Sequence, residues 1–203
     1  MTAAIYAAWA GAAYLLGSIP TGFLWGKARG IDVRTIGSGN IGATNVMRAL
    51  GKGPGIAVLV LDALKGFLPV FFAPRISPAL DAGTLQIVCC LAVIAGHNWT
   101  CWLGFKGGKG IATSAGALLA MLPAALLVAL AVWLVVFAAF RYVSLASIAA
   151  AIALPIATWF LTRDPKLTAF TGLIAAVAIY KHRSNIQRLR AGTENRIGAK
   201  KPA

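Results

Sequence analysis

Residues Ile111–Phe140, IATSAGALLAMLPAALLVALAVWLVVFAAF, are thirty consecutive positions without a charged side chain. As a single helix they would run about 45 Å, against a hydrocarbon core of roughly 30 Å. The run is therefore either one tilted helix or two short ones. Pro123 falls inside it, behind Met121-Leu122, and proline disrupts a helix interior. Four further apolar runs are of spanning length, 3–25, 54–73, 82–105 and 142–162, and a shorter one covers 166–181, where Lys166 and Lys181 can snorkel.

Charge decides how 111–140 is read. If it crosses once, there are six spans, and the polar segments 26–53 and 104–110 lie on opposite sides. If it turns near Pro123, there are seven. Then 26–53, 104–110, Arg141 and the tail from Lys181 share a face carrying fifteen Lys and Arg, and the other face carries Arg75, Arg163 and Lys166. Basic residues accumulate on the cytoplasmic side. The expected fold is all-α and integral to the membrane: seven transmembrane helices with cytoplasmic glycine-rich loops, and the N-terminus outside. It forms a single domain over 1–203, with 182–203 as a cytoplasmic C-terminal tail. Two helices near Pro123 must be short or tilted.

Composition narrows the class. The 203 residues are 59% hydrophobic and 12% charged, with nineteen Lys and Arg against five Asp and Glu. Soluble domains carry about twice that charged fraction. A nucleic-acid partner would need a soluble basic face or a reader motif, and here the basic residues lie between apolar runs. Membrane topology and anionic substrates account for the net charge of +14. Cys89, Cys90 and Cys101 sit in or beside apolar runs and read as small buried residues. No Cys/His spacing indicates zinc, and no metal is expected. The N-terminus lacks the basic n-region of a signal peptide, so the first run is expected to be retained.

Three polar segments interrupt the apolar chain: Gly37-Ser-Gly-Asn-Ile-Gly-Ala-Thr-Asn45, Gly104-Phe-Lys-Gly-Gly-Lys-Gly110 and His182-Arg-Ser-Asn-Ile-Gln-Arg-Leu-Arg190. The first matches the dinucleotide pattern G-x-G-x-x-G, but no strand precedes it and a membrane span follows. The second falls short of a P-loop by one spacer residue and by its missing hydroxyl after Lys109. Its physics survives: a glycine loop leading into a helix near Ile111 offers free amides and a positive dipole end to an anion. Asn40, Thr44, Asn45 and Arg48 fit one face of a turn or short helix, where the Arg48 guanidinium can fork onto phosphate oxygens. His182 and Asn185 are spaced i,i+3, as are Asp62 and Lys65 inside the second span, so each pair can share a helix face. Taken alone, the His182 segment also reads as a lipid-headgroup anchor, His97 as a helix-end histidine, and Ser144 and Ser147 as helix-packing serines.

In sum these residues resemble the bacterial membrane glycerol-3-phosphate acyltransferases that use acyl phosphate as donor, the PlsY family. The signatures are 37–48 followed by Asp62 and Lys65-Gly66; Gly96-His97 followed by 105–113; and His182–Leu189 followed by Gly192-Thr-Glu194. Thr100 departs from them, standing where many members have proline. The resemblance implies a seven-helix enzyme of the bacterial inner membrane, multi-pass, working at its cytoplasmic face. It transfers a fatty acyl group from acyl phosphate to the 1-hydroxyl of glycerol 3-phosphate, giving lysophosphatidic acid and phosphate without cofactor or metal. It further implies that Ser38, Arg48, Lys109, Ser147, His182, Asn185 and Glu194 line the site. Ser38, Arg48, Lys109, His182 and Asn185 are expected to be catalytic. Gly37, Gly39, Asn40, Thr44, Asn45, Gly107, Gly108, Gly110, Ser147 and Glu194 are expected to bind substrate.

Two other classes remain. A transporter of phosphorylated solutes would show broken helices and internal repeats; the Ser18-Ile19-Pro20 break fits, and no convincing repeat is present. A non-catalytic anchor for anionic lipid leaves the two glycine loops without a purpose.

Overall fold

Helix boundaries follow the local chemistry of the chain. A computed structural model describes residues 2–198; the end of the expected tail, 199–203, and residue 1 of the expected domain lie outside the described residues. The order is α1 Thr2–Ser18, α2 Thr21–Lys27, α3 Ala43–Leu50, α4 Lys52–Ile76, α5 Ala82–Asn98, α6 Ile111–Met121, α7 Pro123–Phe140, α8 Val143–Thr162, α9 Pro165–Lys181 and α10 Arg183–Arg190, with no strand among the described residues. Short 3-10 turns occupy Val33–Thr35 and Cys101–Leu103.

The decisive run is broken where proline demands it. Leu122 leaves helical geometry (φ −135°, ψ 58°) and Pro123 opens α7 at its first turn, where a missing N–H costs nothing. Pro165 opens α9 in the same way, and Asp164 Oδ1 caps it by accepting from the Lys166 and Leu167 amides. Asp81 caps α5 through the Thr84 amide at 2.8 Å. The expected run 3–25 is likewise two helices, because Ile19-Pro20 interrupts it. By contrast Pro69, Pro74 and Pro155 stay inside α4 and α8, as membrane helices allow.

Among the described residues five segments are long and apolar enough to cross a membrane: Thr2–Lys27, Lys52–Ile76, Ala82–Leu103, Pro123–Phe140 and Val143–Thr162. Helix α6 is apolar but has 11 residues, and α9 has 17. At 1.5 Å per residue α6 is only about 17 Å long.

The chain divides into two compact units, one up to Met121 and one from Leu122 onward. In the first, α1 packs on α5, and α4 packs on α5 and α6. The α4–α6 approach is close because Gly66 faces the Thr113 carbonyl and Gly116 faces that of Ala63, with no room for a Cβ at either. Small residues let membrane helices touch through their backbones in this way. Val33, Ile41 and Val46 from the segment 28–51, together with Val58 of α4, bury themselves against Phe23, Trp25 and Leu50. Each such burial contributes about 1.5–3 kcal/mol in water, which pins the polar 37–45 segment to α3 and α4. In the second unit α8 packs on α7 and on α9, and α10 lies against α8 and α9.

Candidate active site

The 37–48 segment is a turn built around a glycine and an asparagine. Gly37 takes φ +60°, and a Cβ there would sit 2.5 Å from Asn45 Oδ1 and 3.7 Å from Arg48 Cδ. The Arg48 stem therefore lies beside Gly37, the neighbour of Ser38 in the turn. Asn45, the third residue of α3, is buried and bonded on both sides of its amide. Oδ1 accepts from the Ser38 amide and Nδ2 donates to the Val33 carbonyl, both at 2.8 Å. Asn40 Oδ1 accepts from the Gly42 amide at 2.8 Å and closes the turn into α3. Both asparagines thus shape the loop that carries Ser38. Gly39 is also left-handed (φ +67°), and Thr44 is half-buried in the first turn of α3.

The 104–110 loop folds back on the end of α5. The Phe105 amide donates to the Thr100 carbonyl at 2.9 Å, that of Gly107 to Asn98 at 3.3 Å, and that of Gly108 to His97 at 3.0 Å. Gly110 (φ +78°) ends the loop, and its carbonyl accepts the Ser114 amide inside α6 at 2.7 Å. Lys109 therefore stands one residue from the first free amides of α6. Thr100 has a task that proline has no hydroxyl to perform: Oγ1 donates to the Ser18 carbonyl at 2.5 Å and accepts from the Trp102 amide at 3.3 Å.

In the second unit a single carboxylate organises the tail. Glu194 Oε1 accepts from Ser144 Oγ at 2.9 Å and from Asn185 Nδ2 at 2.7 Å; Oε2 accepts from Arg188 Nε at 2.7 Å. Partial burial works to raise the Glu194 pKa, but the hydrogen bonds from Asn185, Arg188 and Ser144 outweigh it and hold the carboxyl below its ordinary range. His182 joins α9 to α10, and its ring Nδ1 lies 2.8 Å from the Ala178 carbonyl. A carbonyl only accepts, so Nδ1 carries a proton, and in the neutral form of the ring Nε2 is the acceptor. Ser147, one turn beyond Ser144 on α8, donates to the Val143 carbonyl at 2.8 Å and accepts from the Trp133 indole at 3.2 Å.

Asn185 and Glu194 are thus bonded to each other, with His182 at the start of the same short helix as Asn185, and Gly37, Ser38, Gly39, Asn40, Thr44, Asn45 and Arg48 lie together on the 37–48 segment. Gly107, Gly108, Lys109 and Gly110 are mounted on the end of α5. Sequence reasoning did not single out Trp133, nor the pairing of Arg188 with Glu194; the latter spans a turn through Gly192 (φ +69°), which no helical spacing announces. Among the described residues no group of three His, Cys, Asp or Glu side chains is placed to hold a metal.

A family model described as glycerol-3-phosphate acyltransferase matches residues 7–192. A glycerol-3-phosphate acyltransferase of Trichlorobacter lovleyi is 51% identical over 98% of this chain and 100% of its own length. Two crystal structures of PlsY (YgiH), an integral membrane glycerol 3-phosphate acyltransferase, share the fold. Its glycerol 3-phosphate form gives a TM-score of 0.89 at 44% identity over 95% of this chain and 96% of that one. Its lysophosphatidic acid form gives 0.86 at 43%, over 95% of each chain.

Proposed function

This chain belongs to the glycerol-3-phosphate acyltransferase family, and from that premise we propose that it moves a fatty acyl group from acyl phosphate to the 1-hydroxyl of glycerol 3-phosphate. The products are 1-acyl-glycerol 3-phosphate (lysophosphatidic acid) and inorganic phosphate, in the first acylation of phospholipid biosynthesis. The enzyme acts as one domain over 1–203 in the bacterial inner membrane. It crosses seven times, with the glycine-rich loops and the C-terminus in the cytoplasm, and needs neither cofactor nor metal.

The observation that carries this reading is the glycine loop that sets Lys109 directly before the N-terminus of α6. Backbone amides, a helix dipole and an ammonium group together form an anion site. Both substrates carry phosphate, so their mutual repulsion must be offset before they react, and the basic residues of the chain do this. Lys109, Arg48, Ser38 and the amides at the start of α6 bind phosphate and stabilise transition-state charge. His182 and Asn185 bind glycerol 3-phosphate, and Glu194 orients Asn185. Ser147 contributes from α8. Gly37, Gly39, Gly107, Gly108 and Gly110 let the two loops take the tight conformations that bring Ser38 and Lys109 to the substrates.

In the chemical step the glycerol oxygen bonds to the carbonyl carbon and the bond from that carbon to the phosphate oxygen breaks. The hydroxyl proton passes to the departing phosphate. Acyl phosphate is a mixed anhydride with a good leaving group, so positioning and charge stabilisation carry the catalysis. The test is purified protein with both substrates: lysophosphatidic acid and phosphate should form in equal amounts. Their absence under conditions where the protein is folded would overturn the reading.

A further inference from the structure

The second span holds a charge pair that the reaction above does not use. Asp62 and Lys65 of α4 are 3% and 6% exposed, and Lys65 Nζ lies 2.8 Å from Asp62 Oδ1. Lys65 also donates to the Ile19 carbonyl at 2.7 Å, at the break between α1 and α2. Thr21 Oγ1, in the first turn of α2, donates to the same Asp62 oxygen at 2.5 Å. One buried pair thus joins α4 to the interrupted first span.

The same carboxylate also faces the loop that carries Lys109. His97 Nδ1, near the end of α5, lies 3.7 Å from Asp62 Oδ1, an electrostatic contact too long for a hydrogen bond. The opposite edge of the imidazole rests on the loop. A Cβ built on Gly108 would collide with Nε2, Cε1 and Cδ2 of that ring, and the Gly108 amide is bonded to the His97 carbonyl. Ser18 and Thr100 close the same corner, because Thr100 Oγ1 donates to the Ser18 carbonyl and Ser18 Oγ to that of Gly96. A ring held between a buried carboxylate on one edge and a glycine backbone on the other has little freedom. Lys109 is the next residue.

We propose that Asp62 and His97 are positioning residues. The Asp62–Lys65 pair fixes the His97 ring, and the ring fixes the 107–110 backbone from which Lys109 projects. Its bearing on catalysis rests on the acyltransferase reading above. Buried ion pairs are weak contributors to stability, because desolvation offsets their attraction. Positioning a phosphate-binding loop gives this one a task that stability does not.

The test separates loop order from activity. In a background lacking the three cysteines, Lys109→Cys is labelled with a nitroxide and its spectrum recorded alone and with Asp62→Asn, His97→Gln or Gly108→Ala. Each addition is expected to introduce a mobile component at position 109. With Lys109 retained, each of the three substitutions is expected to lower kcat at saturating substrates by about 10- to 100-fold, the cost of a small misplacement. KM for glycerol 3-phosphate should change by no more than about threefold, since acceptor binding is left alone. In a His97→Ala background Gly108→Ala should cost less than it does alone, because the ring atoms nearest its methyl group are gone. If Asp62→Asn and His97→Gln lower Tm but leave the label spectrum and kcat at wild-type values, the pair is only structural and the proposal fails. Should those variants not fold, Gly108→Ala, which leaves every buried charge in place, decides alone, and an unchanged spectrum overturns the proposal. A wild-type protein without acyl transfer would refute the function, while the spectra would still decide the positioning.

Discussion

Replacing Glu194 by glutamine keeps the shape of the side chain and removes what organises the tail. The carboxylate accepts from Ser144, Asn185 and Arg188. An amide has one oxygen. If that oxygen keeps Ser144 and Asn185, the new NH2 faces the Arg188 Nε–H, donor against donor. A hydrogen bond to a charged group contributes about 1.5–3 kcal/mol, and because Arg188 is 31% exposed, its share is discounted to about 1 kcal/mol. The other two bonds lose their charge assistance, roughly halving each, or about 1 kcal/mol apiece. The total is about 3 kcal/mol. If all of it is felt in holding Asn185 against the transition state, kcat/KM for glycerol 3-phosphate falls by about 10²-fold. Steady-state kinetics on the detergent-purified variant measures this, with thermal unfolding recorded alongside. The acid side gives a second reading. The folded-state pKa lies below the ordinary 4.5, so the contribution is complete above the unfolded value and fades as pH falls through the lower folded one. The Tm difference between wild type and Glu194→Gln should be constant from neutrality to about pH 4.5 and shrink below it. A variant within about threefold of wild-type kcat/KM would refute the reasoning, because Asn185 would then not depend on Glu194 for its position.

Lys109→Ala and Arg48→Lys are each expected to cost about 2.7–4 kcal/mol of transition-state stabilisation, or 10²–10³-fold in kcat, with Tm unchanged; lysine at 48 keeps the charge and loses the bidentate fork. Near-wild-type turnover in Arg48→Lys would place that guanidinium outside the site. His182→Gln is expected to raise KM for glycerol 3-phosphate more than it lowers kcat, because the ring orients the acceptor. A general base contributes about 10²–10⁴-fold in the chemical step, so a loss of that size in kcat at unchanged KM would make His182 the base. For topology, Arg29→Cys, Lys106→Cys and Asn195→Cys, all at exposed positions, should be shielded from an impermeant external thiol reagent in a cysteine-free background, and Lys166→Cys should react. External labelling at 106 would overturn the seven-span proposal.

Elements set by one residue or by fixed spacing were legible in the sequence. Pro123 marked the α6–α7 break, because a proline ring cannot continue an uninterrupted helix. The i,i+3 spacing of Asp62 and Lys65 announced an ion pair that is present at 2.8 Å. Of the candidate site, the three polar segments and most of their members could be named. What could not be read was the direction in which each side chain works. Asn45 looked like a ligand on a helix face, yet its amide is used between Ser38 and Val33. The Ser18-Ile19-Pro20 break in the 3–25 run was visible, but not that the Ile19 carbonyl freed by it is met by Lys65 from 46 positions away. The contacts of His97 with Asp62 and Gly108, and of Glu194 with Arg188, join segments whose approach depends on packing and on positive-φ turns, and no local pattern encodes them.

The central claim is direct acyl transfer from acyl phosphate, and following two labels tests it most directly. Donor labelled in its phosphate and glycerol 3-phosphate labelled in carbon are incubated with the purified protein, and the products are separated. All released phosphate label should appear as inorganic phosphate and all converted carbon label as lysophosphatidic acid, one for one, with acyl-CoA inactive as donor and turnover unaffected by chelator. Donor phosphate retained in the lipid product, or equal turnover with acyl-CoA, would contradict the account.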